Sequence, residues 1–572
     1  MFTVDEVIEK NLPQLQKHPL LTSITRAALR RLLHEREFIE FGEKYPHLKG
    51  LDFVEQVLDY FDFSYTISAR DLERIPSHGR CVIIANHPIG SLDGLALIKL
   101  LSEVRKDFKV VANELLMAIS PLRELLLPVN NMGGGTAREN IRGIQDYLNN
   151  EGAVLIFPAG EVSRLKPIGI RDSKWNGGFL KFAKATHSPI LPIHVSGKNS
   201  TSFYLLSMMY KPLSTLFLVK EMFRQQDKNM PVKVGELIPY DGFKGLQLNN
   251  KEQIRLFQRH LYRIGKQKKG CFATESAIAR AENRDELKAA LKKCMHLGHT
   301  SDNKDIYLYR FTDSSPVMRE IGRLREVAFR AVGEGSGKRR DIDKYDAYYE
   351  HLILWDEKDA EIVGAYRLGD TQKIVSEYGQ NSLYTDSLFN YAEQMEVYLT
   401  RGLELGRSFV QPKYWGRRSL DYLWYGIGAY LRQHPEIRYL FGPVSMSNSM
   451  PKAAKDLMVY FYKLHFQKNT EIARHKQPYQ IPNDTVSALK EEFTGESYKE
   501  DFVKLKSMLA NMGTSIPTLY KQYSELCDDG GVEFLDFGVD PDFADCIDGL
   551  VLVDIQKLKD NKKARYLGTD GE

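Results

Sequence analysis

Cysteine is scarce and scattered. The 572 residues hold five, Cys81, Cys271, Cys294, Cys527 and Cys546, and no two of them form a CxxC pair. This excludes a zinc knuckle or a disulfide framework and reads as free thiols in a reducing compartment. Long apolar runs are also missing. A bilayer-spanning helix needs about 18 uncharged apolar residues, and the nearest approach, Phe203 to Tyr210, stops at Lys211 and Pro212. Met1 to Leu15 shows no basic stretch followed by an apolar one, so no signal peptide is expected. Charge of one sign is absent as well: 79 Lys and Arg face 75 Asp and Glu, a net +4. That is too little for a dedicated nucleic-acid binder, yet it leaves room for a basic patch facing acidic partners or anionic lipid. The expectation is a cytoplasmic protein, soluble or peripheral on the inner membrane face, with no nucleic-acid partner and no metal. What is present is a globular balance, 43% apolar and 27% charged, in a chain long enough for more than one domain.

Residues 1 to 60 are expected to form an N-terminal helical segment, because Leu12, Leu15, Leu20, Leu21, Ile24, Ala28 and Leu32 recur at helical spacings. A β/α alternation follows over 61–270. Cys81–Asn86, Phe108–Ala112, Ala153–Phe157 and Ile190–Val195 read as buried strands, with helices over Leu95–Val104 and Ala137–Leu148. Such alternation predicts a largely parallel sheet with ligand chemistry at the strand carboxyl ends. A linker is placed at 271–304, with a helix inside it over Arg284–Met295. A second α/β domain is placed at 305–572, with strands over Ile306–Phe311, Leu352–Trp355, Ile362–Leu368, Val397–Val410 and Arg438–Val444. Its helices are expected at Val317–Ala331 and Leu420–Arg432.

The strongest local signal is Asn86-His87-Pro88-Ile89-Gly90-Ser91-Leu92-Asp93-Gly94. His87 directly follows a buried strand, and Asp93 opens a helix. A carboxylate near an imidazole fixes its tautomer and steadies the imidazolium, which suits a general base for an alcohol attacking a thioester. The plainer reading is an exposed loop histidine beside a helix-capping aspartate. Three further blocks follow in order: Pro128 to Arg138 with Gly133-Gly134-Gly135, then Phe157-Pro158-Ala159-Gly160-Glu161-Val162-Ser163-Arg164, then Leu191-Pro192-Ile193-His194-Val195. Together these resemble the glycerolipid (lysophospholipid) acyltransferase family, whose signature is a His and an Asp separated by four residues. Here five residues separate them, and Gly90 offers a place to absorb the extra one. The resemblance implies catalysis by His87 and Asp93 and substrate binding by Arg138, Gly160, Glu161 and Arg164. Ala159 stands where the family block has its first Glu, which suggests an acceptor other than glycerol phosphate.

The second domain carries Glu404-Leu405-Gly406-Arg407-Ser408-Phe409-Val410, where two charges interrupt an apolar strand and call for a partner or a job. Upstream lie Arg325 to Arg330, Asp343-Lys344-Tyr345-Asp346 and Gly364-Ala365-Tyr366-Arg367-Leu368. The series resembles the GNAT-like N-acyltransferases, in the branch of ornithine-acyl carrier protein acyltransferases and acyl-homoserine lactone synthases. By that resemblance Glu404 is a base for the amine, and Asp343, Asp346, Arg367 and Arg407 shape the amino-acid or pantetheine site. A structural ion-pair cluster is the alternative. Trp415-Gly416-Arg417-Arg418 has one glycine where an acetyl-CoA pyrophosphate loop has two, so Lys413, Arg417 and Arg418 read either as a face for an acidic carrier protein or as a solvated turn. Phe203 to Arg224 mixes apolar residues with Lys211, Lys220 and Arg224, as either a membrane-contact helix or core.

Together the two halves resemble fused bifunctional acyltransferases that make ornithine-type aminolipids. The implied partners are acyl carrier protein, an amino acid (ornithine by family analogy), a lyso-lipid acceptor and a membrane surface. No cofactor is expected beyond acyl-acyl carrier protein or acyl-CoA as donor substrate. The alternative is a single-activity lipid O-acyltransferase whose second domain is a non-catalytic binding module. A pore-forming protein is disfavoured, since no long amphipathic strand series is present.

Overall fold

A computed structural model describes residues 30–31, 34–113, 116–129, 138–167, 169–209, 211–312, 315–468 and 471–568. The expected helix before residue 30 and the glycines 133–135 lie outside these residues. The chain divides into two compact units, with the division after Ala279.

The first unit is built on seven strands. Cys81–Ala85 (β2) is its centre: all five side chains are fully buried, with Cys81, Ile83 and Ala85 packing into one apolar cluster and Val82 and Ile84 into another. A strand covered on both faces has no polar side to alternate with, so its sequence reads as an unbroken apolar run. Around it lie Ser64–Thr66 (β1), Phe108–Asn113 (β3), Leu126–Val129 (β4), Ala153–Ile156 (β5), Ile190–Val195 (β8) and Asn229–Val234 (β9), with Arg164–Lys166 (β6) and Gly169–Arg171 (β7) forming a separate hairpin. The order across the sheet is β1-β9-β8-β2-β5-β3-β4, and every pairing is parallel except β8 with β9. Helices Ser91–Ser102 (α1), Arg138–Asn149 (α2), Thr201–Met209 (α3), Lys211–Phe223 (α4) and Asn250–Gly265 (α5) are among its connections. The parallel sheet puts the end of β2, and therefore His87, at the carboxyl edge where a crossover leaves room for a ligand.

The expected linker is not one throughout. Arg284–Leu291 (α6) is capped by Asn283, which accepts from Asp285 and Glu286, and Met295–His299 (β10) pairs antiparallel with Lys304–Arg310 (β11) as the edge of the second sheet. The helix is shorter than expected, because residues from Met295 on are drawn into strand pairing. The sheet continues through Glu350–Asp356 (β12), Glu361–Asp370 (β13), Gly402–Val410 (β15), Tyr439–Met446 (β16), Cys546–Asp554 (β19) and Val532–Asp540 (β18), while Phe389–Tyr391 (β14) pairs with Ala473–His475 (β17) apart from it. Helices Pro316–Ala331 (α7), Tyr384–Leu388 (α8), Ser419–Gln433 (α9) and Lys452–Phe466 (α10) belong to this unit.

One expectation needs correction here. Val397–Arg401 is not strand: Glu396–Leu399 is a single helical turn, and the strand starts at Gly402, where a Cβ would meet the Tyr398 carbonyl at 2.5 Å and the Thr371 hydroxyl at 2.8 Å. The segment after Pro478 supplies β18 and β19, which complete the sheet, and every residue of β16 has a partner on β19.

Of the pairings in the second sheet among the described residues, only β15 with β16 is parallel, and it is short: Gly402, Leu403 and Glu404 sit opposite Tyr439, Leu440 and Phe441. Beyond that point the two strands part. On the other side of β15 the register with β13 shifts, so that Arg407 and Ser408 together face Tyr366; Arg407 takes φ 47 in this bulge. A bulge bends the strand and re-aims its side chains.

Candidate active sites

At the end of β2, Asn86 is tied to β8 by a reciprocal pair: its side chain donates to the Val195 carbonyl and accepts from the Val195 amide, both at 2.8 Å. The chain then turns through Gly90 at φ 120 and ψ −122, a backbone conformation reserved for glycine. The Asp93 carboxylate, wholly buried, accepts from the Ile89 amide at 2.9 Å and the Gly90 amide at 3.2 Å, and lies 3.0 Å from His87 Nδ1. The contact becomes an ion pair when the imidazole takes a proton. The imidazole packs on Phe157, with ring centroids 4.3 Å apart, and keeps 21% of its side-chain surface exposed. Burial draws its pKa down, but Asp93 and then Asp172 outweigh burial and leave it above the ordinary histidine value.

Sequence reasoning missed Asp172. It is fully buried and accepts from the His87 amide at 3.3 Å, the Ser163 hydroxyl at 2.6 Å and the Trp175 indole at 2.9 Å, while the Ser163 amide donates to the His87 carbonyl at 2.7 Å. The backbone on both sides of His87 is therefore clamped by the 157–164 block and the loop after β7. Glu161 accepts from Ser173 and lies 3.4 Å from Arg164, and Arg164 donates to Ser207 and sits over Phe203. Gly160, at φ 65, and Arg138, the first residue of α2, are exposed.

Gly90→Ala puts a Cβ 3.4 Å from Val162 and forces a strained φ. Strain at such positions costs about 1–3 kcal/mol, so denaturant unfolding of the purified variant should show a loss of that size in the first unit. An unfolding midpoint equal to wild type would show that the turn accepts an alanine without strain.

In the second unit the sequence-expected residues fall into two groups. Arg325, Asp346 and Arg367, each 1% exposed, form a buried ion network: Asp346 lies 2.8 Å from Arg325 and 3.2 Å from Arg367, and Arg367 also reaches Asp343 at 2.7 Å. Burial pushes the Asp346 carboxyl up, but the two guanidinium groups hold it far below the usual range. Glu404 is equally buried. One oxygen accepts from the Thr385 amide at 2.6 Å, and the other from the Tyr349 hydroxyl and the Tyr384 amide. Burial raises its pKa, and the donors from Thr385 and Tyr349 restrain the rise. Arg407 touches the network through Asp343 but also reaches beyond it. The bulge turns it toward a cavity of about 670 Å³ between the parted strands, where Ser408, Phe409 and Val410 of β15 face Pro443 and Ser445 of β16. It lies 3.5 Å from both Asp341 and Asp343 and over the rings of Tyr384 and Phe543.

The basic turn is partly paired, Lys413 with Glu361 and Arg418 with Asp421 at 3.3 Å, while Arg417 sits over Tyr414. In the 203–224 stretch, Phe203, Tyr204 and Met222 are buried, Leu205 is exposed, and Arg224 pairs with the buried Glu221 at 2.8 Å; the side chains of 208–216 lie outside the described residues. Among the described residues no helix is long and apolar enough to cross a membrane.

These features define an acyltransferase with two units of different fold. Residues 6–267 match the family model described as Acyltransferase, and residues 324–425 match the Acetyltransferase (GNAT) domain. The chain is 33% identical over 299 residues to a glycine N(alpha)-acyltransferase of Phocaeicola vulgatus, covering 50% of this chain and 90% of that one. A lyso-glycine lipid O-acyltransferase of the same organism is 28% identical over 235 residues, covering 40% and 83%. An L-ornithine N(alpha)-acyltransferase of Brucella abortus is 33% identical over 151 residues, covering 23% and 51%. The chain belongs to the family of these N(alpha)-acyltransferases, and it carries both an acyltransferase domain and a GNAT domain.

Proposed function

We propose that the protein makes a two-chain aminolipid in two successive steps. The second unit transfers a 3-hydroxyacyl group from an acyl carrier protein thioester to the α-amine of an amino acid, ornithine or glycine. The first unit then acylates the 3-hydroxyl, with His87 taking the alcohol proton and Asp93 steadying the imidazolium. The observation that carries the reading is the presence on one chain of the His87–Asp93 pair and of a separate cavity lined by Arg407. Two relatives from one organism bear the names of an amide-forming and an ester-forming enzyme, the division of labour proposed here for the two units. The order is physically sensible, since the one-chain product partitions into a bilayer where a peripheral enzyme finds its hydroxyl. Arg407 offers a guanidinium fork for the amino-acid carboxylate, and the parted strands leave backbone groups for the amides of a pantetheine arm. Glu404, with both oxygens occupied, is assigned a positioning role: it anchors Tyr384 and Thr385 at the start of α8, and Tyr384 in turn backs Arg407.

Mass spectrometry of lipids from a host lacking aminolipids, expressing this chain, tests the reading. A new lipid with one amide-linked and one ester-linked chain is expected, and its headgroup mass identifies the amino acid. Accumulation of newly acylated glycerophospholipid with no amide product would favour a single-activity O-acyltransferase.

A further inference from the structure

The cavity that Arg407 enters is also lined by two carboxylates the resemblance does not assign, Asp548 on β19 and Glu334, three residues beyond the end of α7. Asp548 is 3% exposed, and its hydrogen-bond partner among the described residues is the Cys546 thiol at 3.5 Å. Glu334 is 8% exposed and accepts from the Ser445 hydroxyl at 2.9 Å; Ser445 stands opposite Asp548 in the β16–β19 register. Among the described residues neither carboxylate has a lysine or arginine within ion-pair distance. Burying an unpaired carboxylate is costly, and a site that does so twice along the wall of a cavity is furnished for a cation that arrives from outside. Glu404 differs from them in two respects: it is saturated by three donors and is not part of the cavity wall.

We propose that Asp548, with Glu334 beside it, binds the substrate ammonium and accepts its proton, opposite an Arg407 that holds the substrate carboxylate. This rests on the amide-forming reading of the second unit and names the acceptor subsite within it. The amino acid enters as a zwitterion, which matches one guanidinium and a carboxylate pair lining the same cavity. Asp548 takes one proton from the ammonium, and the freed nitrogen pair attacks the thioester carbonyl to form the C–N bond. As the tetrahedral intermediate collapses, the C–S bond breaks and the second proton passes from nitrogen to the departing thiolate. The net products are the amide, the free thiol and one proton, which Asp548 returns to solvent.

The surroundings suit this work. Burial, then the neighbouring carboxylates Asp540 and Glu334, push the Asp548 carboxyl up to about 7, with the Cys546 hydrogen bond and Arg407 pulling the other way; Tyr384 and Tyr520 also lie near it. Burial also lifts Glu334 to about 7, against the Ser445 hydrogen bond. A base with a pKa near working pH combines availability with proton affinity.

The test uses the full-length protein with an amino acid and a 3-hydroxyacyl thioester, scoring amide formation. Ester formation on synthetic one-chain lipid, run by the other unit, serves as internal control. Asp548→Asn should lose at least about tenfold in amide formation, because Glu334 remains as a second acceptor, and the Asp548→Asn/Glu334→Gln double variant at least about a hundredfold. Ester formation should hold in both. The wild-type amide rate should rise with pH through about 7, and the double variant should lose that inflection. Stability provides a further readout. A carboxyl whose folded pKa lies above its unfolded value opposes folding increasingly as pH rises from the unfolded value to about 7, and by a constant amount above that. Above pH 7, therefore, Asp548→Asn should melt at the same temperature or higher, so lost activity is not lost fold. A double variant with the wild-type amide rate and pH inflection overturns the assignment alone. A wild-type chain that forms no amide with any amino acid overturns the parent reading together with it.

Discussion

His87→Ala should lose at least about a hundredfold in ester formation, the range expected when a positioned general base is removed, while amide formation continues. The one-chain product should therefore accumulate. The effect should be large because the structure spends much of its local order on this one imidazole: Asp93 is anchored by two amides before it reaches Nδ1 at 3.0 Å, and Asp172 and Ser163 clamp the backbone on either side. The raised histidine pKa sets the direction of the pH response. The imidazole must be neutral to accept a proton, so ester formation should fall as pH drops through a value above the ordinary histidine pKa of about 6.5. Chromatography of the two lipid products from wild type and variant, across pH, checks both statements. Undiminished two-chain product from the variant would remove His87 from the reaction.

The second large effect concerns the fold. Asp346→Ala removes the carboxylate shared by Arg325 and Arg367, each 1% exposed. Deleting one partner of a buried pair leaves charge without compensation and typically costs about 3–5 kcal/mol, and here two guanidinium groups lose it at once, although Arg367 keeps Asp343. Denaturant unfolding followed in the second unit should show a loss of that size, with the first unit and its ester formation unaffected. Loss of amide formation with unfolding unchanged would instead make Asp346 a substrate contact, the role the resemblance implies.

Much of the first unit was legible because its chemistry is local. Cys81–Ala85 is an unbroken apolar run, and His87 and Asp93 follow it within one loop. Asp172 was not legible: it reaches His87 across 85 positions, and nothing in its neighbourhood marks it as buried. The second unit shows the same limit more sharply. Glu404 and Arg407 stood out as charges in an apolar strand, but only the bulge reveals that one is caged and the other faces a cavity. A bulge is a property of pairing with β13 rather than of the strand's own sequence. Asp548 sits in Cys546–Asp554, a segment whose role exists only once it is laid against β16. Contacts that join distant stretches of chain leave little trace in either stretch alone.

The central claim is that two independent catalysts on one chain act in series, and a bypass experiment tests it most directly. Arg407→Ala, which should abolish amide formation, is supplied with synthetic one-chain lyso-aminolipid and an acyl thioester, and the two-chain product is measured. The account predicts product at the wild-type rate, because the His87 site is untouched. A folded Arg407→Ala protein that makes no two-chain lipid from the supplied intermediate would contradict it.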